Sequence, residues 1–387
     1  MGRDPEPNKP AEEKTRPLSV LRAMIDSIDH DVLQLLAKRN ALVGEIAEFK
    51  RTHRRRIRDL SRERELLSDR RDRAMPLGLS PEMIESMFRL ILWASRDRQA
   101  TLKAEVPVDV EPRTVAIIGG KGGMGKCFAN LFGDLGHAVM IADVDTQLSS
   151  KEAASVADVV VISVPIEVTA DVIRELGPLV KKDGLLIDVC SVKTEPLKVM
   201  LEHCKASVVG THPLFGPSVH SLQGQRLVIT PGRGDEWLAW LKSTFEARGL
   251  ELLETTAERH DKAMAIVQVL THFSTEVMGK AMARLGVPID ETLLFTSPIY
   301  LMEMFMTARH FAQSPRLYGS IQMANPETPA VTAAYIEAAE ALRKIATAKD
   351  RDAFEQTFDE VRAYFGEFTE QAMAQSDFLI DRIVERT

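Results

Sequence analysis

The sequence predicts a multidomain chain in which an α/β domain with a parallel sheet lies between two all-α domains. Three observations predict it. Residues 17–100 place apolar side chains at helical spacing with no strand pattern, Thr114–Asp143 reads as strand, glycine-rich turn, helix, strand and acid, and from about Thr255 the helical period returns. At 387 residues the chain is too long for one core of ordinary size, and two or three domains are expected.

The first fifteen or so residues are polar with three prolines, and 1–16 is expected to be a disordered tail. From Leu18, the residues Leu21, Ile25, Ile28, Val32, Leu35, Leu36, Leu42, Val43, Ile46 and Phe49 recur at helical spacing without an internal proline, which predicts one very long helix. Two more helical patterns follow, Ser61–Arg73 and Ser80–Ala100. The second opens with Ser80 as N-cap and Pro81 at the first helical position. An all-α domain over 17–100 and a linker over 101–113, carrying Pro107 and Pro112, account for this part of the chain.

In the next domain, 114–254, Val115, Ile117 and Ile118 form the apolar run of a buried parallel strand, and Gly120, Gly122 and Gly125 follow in G-x-G-x-x-G spacing with Met124 inside the turn. Gly120 is expected to allow the tight turn, Gly122 to let backbone N–H groups approach a pyrophosphate, and Gly125 to let helix and strand lie close. Val139–Ala142 make the second strand, and Asp143 lies where an acid accepts hydrogen bonds from a ribose and repels a 2′-phosphate. That favours NAD over NADP as cofactor. Further strands are expected at 159–165 and 185–191, with a helix from Thr169 between them and a substrate loop, THPLFGPS, at 211–218. A P-loop nucleotide triphosphatase competes for the same glycines, because Gly120 through Lys126 fit its spacing. Cys127 then stands where a Ser or Thr hydroxyl should meet Mg²⁺, and Asp188, which ends LLIDVCS, is no convincing second acid because the next residues read as a substrate loop. That reading predicts MgATP binding that depends on Lys126. No metal site is expected otherwise.

A net charge of -7 argues against a general nucleic-acid or membrane-surface binder, so the basic run Arg51–Arg58 reads as a local loop or anion site. Three cysteines, Cys127, Cys190 and Cys204, cannot make a disulfide framework and suggest a reducing cytoplasm. No signal peptide or membrane span is visible.

Geometry on the long helix carries one inference by itself. Arg39 and Lys50 are eleven residues apart and share a face, about 16 Å apart along the axis, while Arg22 lies about 25 Å from Arg39. One small ligand cannot reach both Arg22 and Arg39 of a single straight helix, so convergence of these cations requires a second protomer. An interlocked dimer also covers a stripe too long for two short partner helices. Asp59, Arg62 and Glu63 share a face, as do Ser95 and Gln99. Taken singly, charged helix positions are usually solvated. As a set, Arg22, Arg39, Lys50, Asp59, Arg62, Glu63, Ser95 and Gln99 resemble, in order and spacing over about 18–100, the active-site set of the all-helical chorismate mutases of the AroQ class.

The resemblance implies that Arg22 of the partner chain, Arg39 and Lys50 clamp the carboxylates and ether oxygen of chorismate, with Arg62 and Asp59 in support. Glu63 would bind the ring hydroxyl, Ser95 a carboxylate and Gln99 the ether oxygen. Prephenate is the implied product. The remainder, about 113–387, is similar to prephenate dehydrogenases through DVCSVK, THPLFGP and SPIY, and its last part, 255–387, is similar to their helical dimerisation domain. The resemblance implies oxidative decarboxylation of prephenate with NAD. His212 would be the base, Ser191 its hydrogen-bond partner, Lys193 a secondary polar group and Arg309 the residue for the ring carboxylate. His260 and His272, on a helix-patterned stretch, are further substrate-site candidates. Leu301 stands where related bifunctional enzymes can carry an arginine. L-tyrosine as feedback inhibitor is implied by the family alone. The remaining alternative, a regulatory fusion with decayed sites, predicts missing catalytic residues, and none is missing apart from the question at Leu301.

Overall fold

The structure, a computed structural model, describes residues 16–53, 57–102, 111–219 and 221–384. The expected tail, except its last residue, the middle of the basic run (54–56) and most of the expected linker (103–110) lie outside them. Two compact units are present, divided near Asp109. In the first, α1 (Leu18–Thr52) is one continuous helix, followed by α2 (Leu60–Ala74) and α3 (Pro81–Thr101). The caps are local: Asp59 accepts the Arg62 backbone N–H, and Ser80 accepts that of Met83 ahead of Pro81.

The second unit holds β1 (Thr114–Ile118), α4 (Gly123–Asp134), β2 (Ala138–Ala142), α5 (Ser150–Val156), β3 (Val159–Ile162), α6 (Ile166–Leu176), β4 (Leu185–Asp188), α7 (Thr194–His203), β5 (Ser207–Pro213), β6 (Arg226–Arg233), α8 (Asp235–Ala247) and β7 (Glu251–Glu254). The seven strands lie in the order β2-β1-β3-β4-β5-β6-β7, all parallel except the β5–β6 pair. Helices cover both faces, so the central strands are apolar throughout; Val159–Ile162 and Leu185–Ile187 are buried to their last residue. Strand order reverses between β1 and β3, the switch point at which such sheets open a crevice. Two expectations need correction. The helix after β3 begins at Ile166 rather than Thr169, because Pro165 ends the strand and sets the N-cap, and β3 itself stops at Ile162. Strands β6 and β7 add to the strands that the sequence predicts.

Beyond β7 the unit is helical: α9 (Ala257–Met264), α10 (Thr271–Leu285), α11 (Ile289–Leu294), α12 (Pro298–Phe311), α13 (Pro315–Ala324), α14 (Thr328–Ala348), α15 (Arg351–Phe365) and α16 (Phe368–Val384). Ser297 and Ser314 cap α12 and α13, each ahead of a proline. Between α9 and α10 the chain does not break; Ala265–Leu270 continue it as a π-helix. No described helix is long and apolar enough to cross a membrane.

Candidate functional sites

Each unit carries a constellation of polar side chains, and each is described by itself. In the helical unit, Arg39 on α1 donates to the Ser95 hydroxyl on α3, which in turn donates to the Ile91 carbonyl at 2.7 Å. Gln99 lies one turn beyond Ser95. Both are buried; the Gln99 amide NH₂ donates to the Ser95 carbonyl at 3.2 Å, and Gln99 Oε1 has no partner among the described residues. Lys50, at the end of α1, donates to the Ile57 carbonyl. Glu63 on α2 pairs with Arg96 on α3 at 2.5 Å and with Arg58 at 3.8 Å. The structure therefore brings Arg39, Ser95 and Gln99 together across two helices.

The supporting pair expected at Asp59 and Arg62 is not formed that way. Asp59 spends its carboxylate as the N-cap of α2, accepting the Arg62 N–H at 3.0 Å, and the Arg62 guanidinium turns outward to Glu65 at 2.7 Å. Arg22 is exposed on α1. Arg96 was not singled out in the sequence; its i, i+3 spacing to Gln99 was the available signal.

In the α/β unit the glycine turn opens on a cleft of about 710 Å³ at the β1/β3 switch point, lined by Gly119, Gly122, Asp143, Ser163 and Val164 among others. The tight turn falls one residue earlier than expected: Gly119, with φ of 80°, has the left-handed backbone, and a Cβ there would strike the Ser163 carbonyl. Gly120 instead lies against Ile141, 2.7 Å from where its Cβ would be. At Gly125 a Cβ would fall on the Gly119 carbonyl oxygen, which is the close helix approach expected of it. Gly122 caps α4 with little in the way, and Met124 is in its first turn. Asp143, at the end of β2, accepts the backbone N–H groups of Lys121 and Val144, each at 2.9 Å, and each oxygen keeps a lone pair.

His212 is in the last turn of pleat of β5, paired in register with Val228 and buried. Its expected partner, Ser191, makes no hydrogen bond to it. His212 meets His260 on α9 instead: His212 Nδ1 and His260 Nε2 are 2.8 Å apart, and His260 Nδ1 is 2.8 Å from the Asp261 carboxylate. Gln268, in the π-helix, approaches His212 Nε2 at 3.4 Å. Burial, with smaller contributions from His260 and Lys193, holds the His212 imidazole well below the ordinary histidine range and so keeps it neutral at neutral pH. Asp261 was legible only as the neighbour of His260 in the run RHD.

Lys193 also differs from expectation. It is fully buried, its ammonium donating to Asp188 and to the Thr211 carbonyl, the latter at 2.8 Å, so it ties β4 to β5 rather than meeting a solute. Removing one partner of such an enclosed pair costs about 3–5 kcal/mol. Asp188, sealed with it, is not placed to serve Mg²⁺, and the P-loop alternative loses its second acid. His272 is one helical turn past Gln268 but belongs to a different cluster, with its ring against Tyr318 at 4.7 Å and near His310 at 5.4 Å. His310 stacks on Tyr318 and faces Glu276 at 3.0 Å, which also accepts from Gln322. Arg309 is exposed on α12 beside this cluster, and Leu301 lies two turns earlier on the same helix.

Comparisons with known proteins divide the chain the same way. Residues 21–100 match the family described as chorismate mutase type II, 134–254 the prephenate dehydrogenase nucleotide-binding domain, and 256–360 the prephenate dehydrogenase dimerization domain. The second match begins after the glycine turn, so that turn rests on its own geometry. The chain is 36% identical to the T-protein of Enterobacter agglomerans over 94% of its length and 97% of the relative's, and 33% identical to the T-protein of Haemophilus influenzae with the same coverage. Among solved structures, prephenate dehydrogenase from A. aeolicus in complex with hydroxyphenyl propionate and NAD⁺ aligns with a TM-score of 0.54 at 19% identity, covering 66% of this chain and 98% of that one, a likeness of fold.

Proposed function

The chain belongs to the bifunctional chorismate mutase/prephenate dehydrogenase family, and from that membership we propose how its residues divide the two reactions. It is an enzyme of tyrosine biosynthesis that rearranges chorismate to prephenate and then oxidatively decarboxylates prephenate to 4-hydroxyphenylpyruvate. The proposed domain boundaries are 17–100, 114–254 and 255–387, supported by the element breaks before β1 and after β7.

In the first reaction no nucleophile and no proton transfer is needed. A site that holds the compact chair conformer and sets donors where charge builds on the breaking C–O bond suffices. Arg39, Lys50 and Ser95 hold the carboxylates, Gln99 and Lys50 the ether oxygen, and Glu63 the ring hydroxyl, with Arg22 supplied by a second protomer of a homodimer. The exposed apolar stripe of α1 supports that assembly.

In the second reaction His212 takes the proton of the ring hydroxyl while hydride leaves the same carbon. Loss of CO₂ then returns the bonding pair to the ring, which becomes aromatic, and the phenolic oxygen recovers the proton. NAD is the proposed hydride acceptor: the cleft at the β1/β3 switch point, the uncrowded Gly122 at a helix N-terminus and the free lone pairs of Asp143 suit its pyrophosphate and ribose. Arg309 is assigned the ring carboxylate, and His272 remains a substrate-site candidate. L-tyrosine as feedback inhibitor and a cytoplasmic setting complete the reading, the latter supported by three cysteines without a pairing.

The single observation that carries the proposal is the buried, neutral His212 at the end of β5, in the unit that opens the glycine cleft. An ultraviolet assay tests both halves. Chorismate should disappear without cofactor, and NADH should form when NAD and prephenate are added; loss of chorismate only in the presence of NAD, or no NADH from prephenate, would overturn the division.

A further inference from the structure

His212, His260 and Asp261 are each 2% exposed, and polar contacts of 2.8 Å join them in that order. The Asp261 carboxylate accepts the backbone N–H of Lys193 at 2.8 Å and of Thr194 at 2.9 Å, and the Asn325 amide donates to the Asp261 carbonyl at 2.9 Å, so the acid is fixed from α7 and α13 as well as from its own helix. Burial alone would raise this carboxyl; the hydrogen bonds from His260, Thr194 and Lys193 outweigh it and hold Asp261 below its ordinary value, hence ionised.

An ionised carboxylate only accepts, so the His260 Nδ1 that faces it carries the hydrogen. A neutral imidazole with hydrogen on Nδ1 has a bare Nε2. That bare nitrogen faces His212 Nδ1, which must then donate, leaving His212 Nε2 bare in turn. The Gln268 amide approaches that same Nε2 through its NH₂ at 3.4 Å, a donor that suits the same tautomer.

We propose that Asp261 and His260 are positioning residues that fix His212 as its Nδ1–H tautomer, so that Nε2 is the atom that takes the proton from the ring hydroxyl. The inference rests on the reading of His212 as the base. It replaces a lone histidine with a three-residue chain in which neither His260 nor Asp261 touches prephenate.

Asp261→Asn tests it in the full-length enzyme with NAD. An amide presents NH₂ to His260 Nδ1 or to the backbone donors of α7; in the first case both tautomers reverse and Nε2 of His212 gains a hydrogen. Dehydrogenase kcat should fall by about 10²–10⁴-fold, the upper end being the loss expected of a base held in the wrong tautomer, with prephenate KM within about threefold. Because Asp261 also anchors α7, a pair of variants at His260 gives a second route. His260→Gln offers an oxygen that accepts from His212 Nδ1 and should keep kcat within about tenfold, whereas His260→Leu offers none and should lose about 10²-fold. In ¹⁵N-histidine-labelled enzyme, the His212 resonances, assigned with His212→Asn, should show a protonated Nδ1 and a bare Nε2. Equal kcat for the Gln and Leu variants, or a protonated Nε2 in the wild type, would overturn the positioning role. If His212→Asn itself keeps near-normal kcat, the base is elsewhere; if it is inactive while His260→Leu and Asp261→Asn are fully active, the base stands and the positioning role does not.

Discussion

The α1 helix and the β3 strand show two ways of making a site. Along α1 only Val43 and Ala47 are buried, and Ile28, Leu35 and Phe49 stand 59%, 63% and 58% exposed; along β3 every residue is sealed. Burying an aliphatic or aromatic side chain contributes about 1.5–3 kcal/mol, so a stripe of this length drives association strongly. On the proposed assembly a second chain completes the helical site, whereas His212, His260 and Asp261 are all buried within one unit. The chemistry differs in parallel. A rearrangement needs charges at fixed distances, which two chains can share, whereas proton transfer needs one atom of one ring held dry and in one tautomer.

The sharpest way to break that contrast is to disable each site and read both activities. His212→Asn should lower dehydrogenase kcat by about 10²–10⁴-fold and leave chorismate mutase activity unchanged. Arg39→Ala should lower mutase kcat/KM by about 10²–10³-fold and leave prephenate oxidation intact. A variant that loses both activities while remaining folded by circular dichroism would show that the sites are not separable.

Shared against enclosed is tested by mixing. Arg22→Ala and Arg39→Ala chains, each inactive as a mutase alone, should recover roughly a quarter of wild-type activity after subunit exchange, since half the dimers are mixed and each carries one intact site. No recovery after demonstrated exchange would confine Arg22 and Arg39 to one protomer.

Dryness has a pH signature. The base acts when neutral, that is, above its pKa. Burial, His260 and Lys193 lower that pKa and Asp261 opposes them, while the neighbouring Asp188–Lys193 pair remains sealed. The acid limb of dehydrogenase kcat/KM should therefore lie below the ordinary imidazole range near 6.5, with a plateau through neutral pH. A limb at or above 6.5 would place the base in water.

The smallest expected effect concerns the cleft. Asp143→Ala should narrow the preference for NAD over NADP by roughly tenfold, the worth of one charged contact of about 1.4 kcal/mol. Equal kcat/KM with both cofactors in the wild type would remove Asp143 from that role.

Much of this was legible before the fold was known, for a physical reason. Helical periodicity, Ser80 before Pro81, and glycines ahead of a helix are local requirements written in consecutive residues. What was missed depends on contacts between distant segments. Ser191 lies within the DVCSVK run and reads as the partner of His212, but the ring that faces His212 comes from α9, forty-eight residues after it. Lys193 reads as a polar side chain near substrate until its ammonium is found closed in by Asp188 and Thr211. Asp59 and Arg62 have the right spacing for a ligand shell, yet the start of α2 needs a cap more locally than a ligand needs a second-row acid. Strands β6 and β7 carry a weak local signal, because RLVITPGR has proline and glycine at one end and ELLE is only four residues long.

The π-helix at Ala265–Leu270 has a consequence for the angular phase of the helix that contains it. In α-helical winding, His260 and Gln268, eight residues apart, would point about 80° away from each other. The i→i+5 turn advances less per residue and takes up much of that angle, which is how both side chains come to face His212 from one helix. A wider turn of this kind is equivalent to one surplus residue. Deleting Val269 or Leu270, on the far side of Gln268 from His260, should let ordinary winding resume, keep helix content by circular dichroism, and leave Gln268 rotated away from the ring, lowering dehydrogenase kcat while mutase activity persists. Chain length in this segment, and not only side-chain identity, thus sets which groups the base meets.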